Sequence, residues 1–315
     1  MNPWSEFWQQ GHPTTFGEYF KEGYQGPIKN WFEKQFSVNQ RSETLLELAC
    51  GNGALIPMCL DLGLTTKYQG VDLAAVAIPQ AVQARLNQTD SLQATLMGET
   101  SIEALPFSDG SFSVACSVFG IEYSNIEKTI PEMSRVLENG GVYLGVIHHI
   151  DSIVSQMSGR AVNEYNMSEV RDFLEQLQII AHQAKVAGDL RVLSRNPKAE
   201  KARKKLNQYA EKYLSNTDLS TANASMFEFV TRGLQFFKIL DQGPKVANRF
   251  IKRVYEETLA TRERHMQMCS VAMPQDGIDR FVEILSKAGF GSTDVSILSD
   301  DKSIIGWAVC AHKST

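Results

Sequence analysis

The chain has 315 residues, 43% of them hydrophobic and 21% charged, with a formal net charge of −5. That balance belongs to a folded globular protein with room for one large domain plus an insertion, or for two domains, and it offers no basic field to draw nucleic acid. Five cysteines, Cys50, Cys59, Cys116, Cys269 and Cys310, stand without a Cys-x-x-Cys pair or adjacent histidine ligands, which argues against a structural zinc or a disulfide framework and for a reducing compartment.

Taken in chain order, residues 1–40 alternate aromatics with glycines and prolines, a texture of short helices and turns laid over an apolar surface. The opening MNPWSEFWQQ lacks the basic-then-apolar pattern of a secretory signal, and no run of apolar residues is long enough to span a bilayer. The expected location is cytoplasmic, with no membrane span. From 44 to 147 the pattern becomes strand, helix, strand. TLLELAC reads as a buried strand, NGALIPMCLDLG as a helix, KYQGVDLA as a second strand and AIPQAVQARLNQ as a second helix. SLQATLMGE and the turn LPFSDGSF follow, then the strand SVACSVFG. The helix IEKTIPEMSRVLENGG is expected to stop at Gly140-Gly141 before the strand VYLGVIHH. Such alternation implies a mostly parallel sheet covered on both faces. Residues 151–269 carry long helical patterns, and after Pro274 a helix and two strands, STDVSILS and SIIGWAVCAHK, close the chain. The expected organisation is a helical segment at 1–40, an α/β domain from 41–150 with 270–315, and a helical insertion at 151–269.

The stretch LLELACGNGAL places two glycines between a strand and a helix. A turn of that kind presents backbone N–H groups at the carboxyl edge of the sheet, and glycine lets a ligand press on the backbone. Asp72 ends the second strand, where an acid accepts hydrogen bonds from ribose hydroxyls; a helix N-cap is the plainer role for it. Isoleucine 56 stands where a dinucleotide fingerprint has its third glycine, and Glu47 precedes the loop. An acid repels a pyrophosphate and attracts an ammonium, which favours S-adenosylmethionine.

On these residues the chain resembles the class I S-adenosylmethionine-dependent methyltransferases, of the small-molecule type that includes the ubiquinone and menaquinone C-methyltransferases. Glu47-Leu48-Ala49-Cys50-Gly51-Asn52-Gly53 matches the first motif, with Ala49 where glycine is usual. Asp72 matches the second, and IEALPFSDGSFSVACSVFGIEY, MSRVLENGGVYLGVI and KAGFGSTDVSI follow in the family's order. The resemblance implies a Rossmann-like doubly wound sheet of seven strands, mostly parallel with an antiparallel last strand, and a helical insertion after the fifth. It implies Glu47 toward the methionine ammonium, Ala49, Gly51, Asn52 and Gly53 along the methionine, Asp72 on the ribose and Leu73 on the adenine. Ser101 with the Ile102 N–H stands where the family reads the adenine amino group, and Ser117 ends strand four on the cofactor cavity.

Methyl transfer needs orientation first and a base where the acceptor must lose a proton. The ends of strands four and five offer Glu122, Tyr123, His148 and His149; the candidates for catalysis are His149, His148 and Tyr123. The N-terminal aromatics are either plain core cover or a lid, with Phe16, Tyr19 and Tyr24 as the lid residues. Phenylalanines and methionines of the insertion are core or the lining of an apolar substrate pocket. The basic cluster Lys198 to Lys205 reads as a solvated helix face, or as recognition of an anionic partner. No Asn-Pro-Pro-Tyr motif follows strand four, which favours O- or C-methylation of a small, partly apolar metabolite. The alternatives are an RNA or protein methyltransferase and a non-catalytic cofactor-binding scaffold. No metal is expected, and the oligomeric state is open between monomer and homodimer.

Overall fold

The computed structural model describes residues 2–15, 23–38, 44–64, 66–188, 190–193, 195–216 and 222–315. They divide into two compact units, 1–156 with 267–315, and 157–266.

The first unit begins with α1 (Pro3–Trp8) and α2 (Gly26–Val38), then alternates β1 (Thr44–Leu48), α3 (Ile56–Asp61), β2 (Thr66–Val71), α4 (Gln80–Leu86), β3 (Leu92–Met97), β4 (Phe112–Val118), α5 (Ile126–Val136) and β5 (Leu137–Ile147). The strand order is β3-β2-β1-β4-β5, extended by β7 (Ile304–Lys313) and β6 (Phe290–Ser299). β1 to β5 are parallel, and β7 runs antiparallel to both β5 and β6. This is the seven-stranded, mostly parallel sheet that the sequence implies. The chain leaves β1 in one direction for β2 and β3, then in the other for β4. That reversal opens a crevice beyond the carboxyl ends of β1 and β4, where open α/β sheets bind ligands.

Alternate residues of the strands feed two cores. Leu45, Tyr68, Val114, Cys116 and Leu144 pack under α2, α3 and α4 through Ile28, Phe32 and Met58. Leu46, Val71, Ala115, Tyr143 and Val309 pack on the opposite face under α5 and a later helix, through Ile130, Met133 and Phe281. The period of two in the strands and the apolar helix stripes therefore meet on both faces.

One boundary differs from expectation. The helix before β5 ends at Val136, and β5 already begins at Leu137. Leu137 has extended dihedrals, is fully buried and pairs with Phe112 across a register shift in β4. A leucine next to Val136 suits the helix stripe and a buried strand equally, so periodicity alone does not separate them.

The second unit holds most of α6 (Ile153–Glu164), then α7 (Met167–Ala187), α8 (Leu190–Leu193), α9 (Pro197–Leu214), α10 (Ala224–Leu234) and most of α11 (Pro244–Val271). Asn166, Asn196 and Asn223 cap the starts of α7, α9 and α10 through their side-chain oxygens. Its core is aromatic: Phe173 meets Phe229 at 5.2 Å between ring centroids, and Phe236 is fully buried. Lys201, Lys204 and Lys205 lie on the exposed face of α9, where Lys205 pairs with Asp172 and Arg203 with Glu200. The chain returns to the first unit for α12 (Gln275–Lys287) and the β6–β7 hairpin. Among the described residues no helix is long and apolar enough to cross a membrane.

Candidate active site

A cavity of about 510 Å³ opens at the carboxyl ends of β1, β2 and β4, a volume typical of small-molecule sites. Its floor is the loop after β1, with Glu47, Ala49, Cys50 and Gly51. The loop takes its shape from Asp72. One carboxylate oxygen of Asp72 accepts the Gly51 N–H at 2.8 Å and the other accepts the Ala74 N–H at 2.7 Å. Asp72 thus caps its own turn and faces the cavity; it is not the helix N-cap of the plainer sequence reading, because α4 begins only at Gln80 behind Pro79. Each carboxylate oxygen retains a second acceptor site. Burial raises the Asp72 carboxyl above its usual range against the pull of these two N–H groups.

Gly51 has φ +52°, and a Cβ there would lie 2.4 Å from the indole of Trp8. Glycine is therefore required twice, for the left-handed backbone and for the close approach of an aromatic ring. Ala49 shares the left-handed conformation, with φ +52°. This is the cost of alanine where the family has glycine. Glu99 and Phe119, after β3 and β4, also have positive φ, so strained backbone gathers at one edge of the sheet. We expect Ala49→Gly to raise stability by up to about 1 kcal/mol, the relief of left-handed strain less the extra chain entropy of glycine. Thermal or denaturant unfolding reads it. A loss of stability would mean that packing of the Ala49 methyl outweighs the strain.

Glu47 is buried beneath the loop and is one of the residues that line the cavity. Burial pushes this carboxyl up to about 8, opposed by the Tyr68 hydroxyl and the Leu55 N–H and reinforced by Asp72. Tyr68 donates its hydroxyl to the Glu47 carboxylate. Along the other side of the cavity run Leu73, which is 64% exposed, then Ser101, Ile102 and Glu103. The Ser101 hydroxyl accepts the Glu103 N–H, and Glu103 is committed to the Asn125 N–H and to Lys128.

Three residues of the expected set serve the frame instead of the wall. The Asn52 side chain donates to the Trp8 and His12 carbonyls at 2.8 and 2.9 Å and accepts the Ala77 N–H. It ties the N-terminal segment to the loop and to the turn after β2. Gly53 lies beside Ile56, off the cavity. Ser117 donates to the Leu48 carbonyl and accepts the Ile121 N–H, locking β4 to β1.

The catalytic candidates separate as well. Tyr123 is on the cavity wall. His148 lies behind it, fully buried, with Nε2 3.3 Å from the Tyr123 hydroxyl. Burial pushes the His148 imidazole down to about 3, which leaves it neutral at physiological pH. His149 is off the cavity wall, with its ring 4.5 Å from Trp307 and its Nδ1 accepting the Asp151 N–H. Adjacent residues of a strand point to opposite faces, and here only His148 points toward the site. Glu122 accepts the His148 backbone N–H, and burial pushes its carboxyl up to about 7.

The third wall was missed in the sequence. Trp4 and Trp8 of α1 line the cavity, with Gln267, Ser270 and Val271 at the end of α11. The Trp4 indole N–H donates to Gln267 at 2.8 Å, and its ring meets Tyr123 edge-on at 5.4 Å. The aromatic density of residues 1–40 was the available signal, but it could not single out Trp4 and Trp8. Tyr24 is buried on the same wall. Phe16 and Tyr19 lie outside the described residues.

Residues 46–145 match the methyltransferase domain family. The matched segment runs from β1 to β5 and contains the glycine loop, Asp72 and the β4 crevice. That segment is similar to methyltransferase domains. No curated protein matches the chain in sequence. Among solved structures, the cyclase SpnF is 18% identical with a TM-score of 0.30, over 36% of this chain and 44% of its own. The geranyl diphosphate C-methyltransferase of Streptomyces coelicolor, solved with Mg2+, geranyl diphosphate and S-adenosyl-L-homocysteine, is 18% identical with a TM-score of 0.31, over 38% of this chain and 46% of its own. A structure from Methanococcus maripaludis assigned as an S-adenosyl-L-methionine-dependent methyltransferase is 12% identical with a TM-score of 0.42, over 92% of this chain and 84% of its own. The chain thus spans less than half the length of the first two. In the matched segment, the loop and Asp72 line the cavity in the crevice at the strand-order reversal.

Proposed function

We propose that the chain transfers a methyl group from S-adenosylmethionine to an oxygen or carbon of a small, uncharged, partly apolar metabolite. The observation that carries this reading is the chemistry of the cavity wall. Three carboxyl groups, Glu47, Asp72 and Glu103, share it with the aromatic rings of Trp4, Trp8, Tyr24, Phe119 and Tyr123. Among the described lining residues there is no lysine, arginine or histidine. Acids and ring faces suit a ligand that carries positive charge on an otherwise largely apolar body, and they repel phosphates.

The residues present fit the cofactor. When bound, S-adenosylmethionine supplies an electrophilic methyl group on a sulfonium. Glu47 offers a buried carboxyl to its ammonium. Asp72 offers spare acceptor sites to the ribose hydroxyls, and Leu73 and Ile102 offer apolar surface to the purine. Trp4, Trp8 and Tyr24 exclude water from the sulfonium side. The N-terminal segment acts as the lid, and the helical unit at 157–266 selects the acceptor.

The test is release of S-adenosylhomocysteine over a panel of neutral phenols, enols and ketones beside phosphorylated and carboxylated analogues. Turnover restricted to the neutral acceptors supports the reading; turnover restricted to the anionic ones overturns the acceptor class. Replacing residues 157–266 by a short linker should abolish turnover and leave cofactor affinity within about threefold, read by calorimetry. Equal loss of both would remove the division of labour.

A further inference from the structure

We propose that His148 fixes the Tyr123 hydroxyl as a hydrogen-bond donor aimed into the cavity, so that the acceptor presents an oxygen to Tyr123 and arrives acidic enough to need no base. The proposal rests on reading this cavity as the methyl-transfer site. Three observations lead to it.

The first is the placement of the pair. Tyr123 lines the cavity, and its hydroxyl lies 3.3 Å from His148 Nε2. The second is how firmly His148 is held. Its ring stacks on Phe119 at 4.4 Å and 17°. Its N–H donates to Glu122 and its carbonyl accepts the Met273 N–H. The third is the far side of the ring. His148 Nδ1 is buried and, among the described residues, has no hydrogen-bond partner.

The tautomer follows from that third observation. A proton on Nδ1 would leave a buried N–H orphaned, whereas an unused lone pair is tolerated more readily in protein interiors. An imidazolium would orphan the same N–H and bury a charge. The proton therefore sits on Nε2, which donates to the Tyr123 oxygen. The Tyr123 proton is left to point away from His148, toward the cavity.

This geometry rules out His148 as a general base, because the nitrogen that faces the site is already protonated. Tyr123 is no base either, because a phenol that donates keeps its proton; burial and the neighbouring Glu122 raise its phenol in the same sense. The matching acceptor is a 1,3-dicarbonyl compound or an electron-poor phenol, more acidic than an ordinary phenol of pKa about 10, which enters uncharged, loses its proton to water without a protein base, and carries an oxygen for Tyr123 to hold. Tyr123 would touch the acceptor; His148 is a positioning residue.

The experiment uses full-length protein labelled with 15N-histidine and long-range 1H–15N spectra, with the His148 signals assigned by their loss in His148→Gln. The expected result is a neutral Nε2–H tautomer that does not titrate between pH 5.5 and 8. A proton on Nδ1, or a titration midpoint inside that range, overturns the proposal. A second arm reads turnover on any acceptor that supports S-adenosylhomocysteine release. Tyr123→Phe should lower kcat about 10²-fold, the loss typical of one such donor, with cofactor KM within twofold. Of the rate lost in His148→Leu, most should return in His148→Gln, whose amide keeps a donor in place of Nε2. Unchanged kcat in Tyr123→Phe, or no rescue by glutamine, overturns the proposal. A wild-type protein that releases no S-adenosylhomocysteine with any acceptor overturns the methyl-transfer reading instead, and the spectra still decide the orientation.

Discussion

Asp72→Ala is expected to weaken S-adenosylhomocysteine binding by about 1.5–3 kcal/mol, the range for losing hydrogen bonds to a charged group, or roughly 10- to 150-fold in Kd. The effect is large because Asp72 acts twice. It offers free acceptor sites to the cavity, and it holds the Gly51 and Ala74 N–H groups that shape the turns on both sides. Alanine would orphan both N–H groups, at about 1–3 kcal/mol for each one left buried. The unliganded protein should therefore also melt lower. Calorimetry and thermal unfolding separate the two roles. A drop in stability with unchanged affinity would leave Asp72 as a loop-former and remove it from the ribose.

Cofactor affinity should rise with pH between about 6 and 8 and then level off. The source is Glu47, whose carboxyl in the unliganded protein is pushed up to about 8 by burial. Below that pH it is largely protonated. A cationic ammonium favours the ionised form, so binding releases a proton, and the affinity gains up to tenfold per pH unit until the carboxyl is already ionised. Groups that could mask the effect are Asp72, Tyr24, Tyr68 and the buried thiols of Cys50 and Cys59. Burial raises the pKa of each of these. Tyr24, Tyr68 and the two thiols stay protonated across this range. Glu47→Gln should bind more weakly at pH 8 and show a flat profile from 6 to 8. In the same variant the unliganded protein should be more stable at pH 8. A carboxyl whose pKa is raised on folding opposes folding once the pH passes its unfolded value, most fully above its folded one. A wild-type profile as flat as that of the glutamine variant would mean that Glu47 does not meet the cofactor's charge.

The sheet was legible in the sequence because its strands are short apolar runs punctuated by glycine and followed by helix stripes. The glycine loop and Asp72 were legible because a tight left-handed turn needs glycine and an acid can hold the backbone N–H groups on both sides of it. Ala49 marks the limit of that logic: the departure from the motif does not announce that the backbone there is left-handed. The histidine pair was ambiguous, since only the local backbone decides whether His148 or His149 faces the site, and the sequence does not show which. The wall of Trp4, Trp8 and Gln267 was not legible. It joins segments some 260 residues apart in sequence, and no periodicity or motif records a contact of that kind. Asn52, expected on the ligand, holds the N-terminal segment, a role that depends on where Trp8 and His12 come to lie.

We propose the cavity at the β1–β4 crevice as an S-adenosylmethionine site. Isothermal titration of the full-length protein with S-adenosylhomocysteine, and separately with NADH, tests it most directly. The predicted result, with the titration run above pH 8 where Glu47 is ionised, is one S-adenosylhomocysteine per chain, weakened at least tenfold by Asp72→Ala, with NADH binding far more weakly because Glu47 then repels its pyrophosphate. NADH binding more tightly than S-adenosylhomocysteine would contradict it.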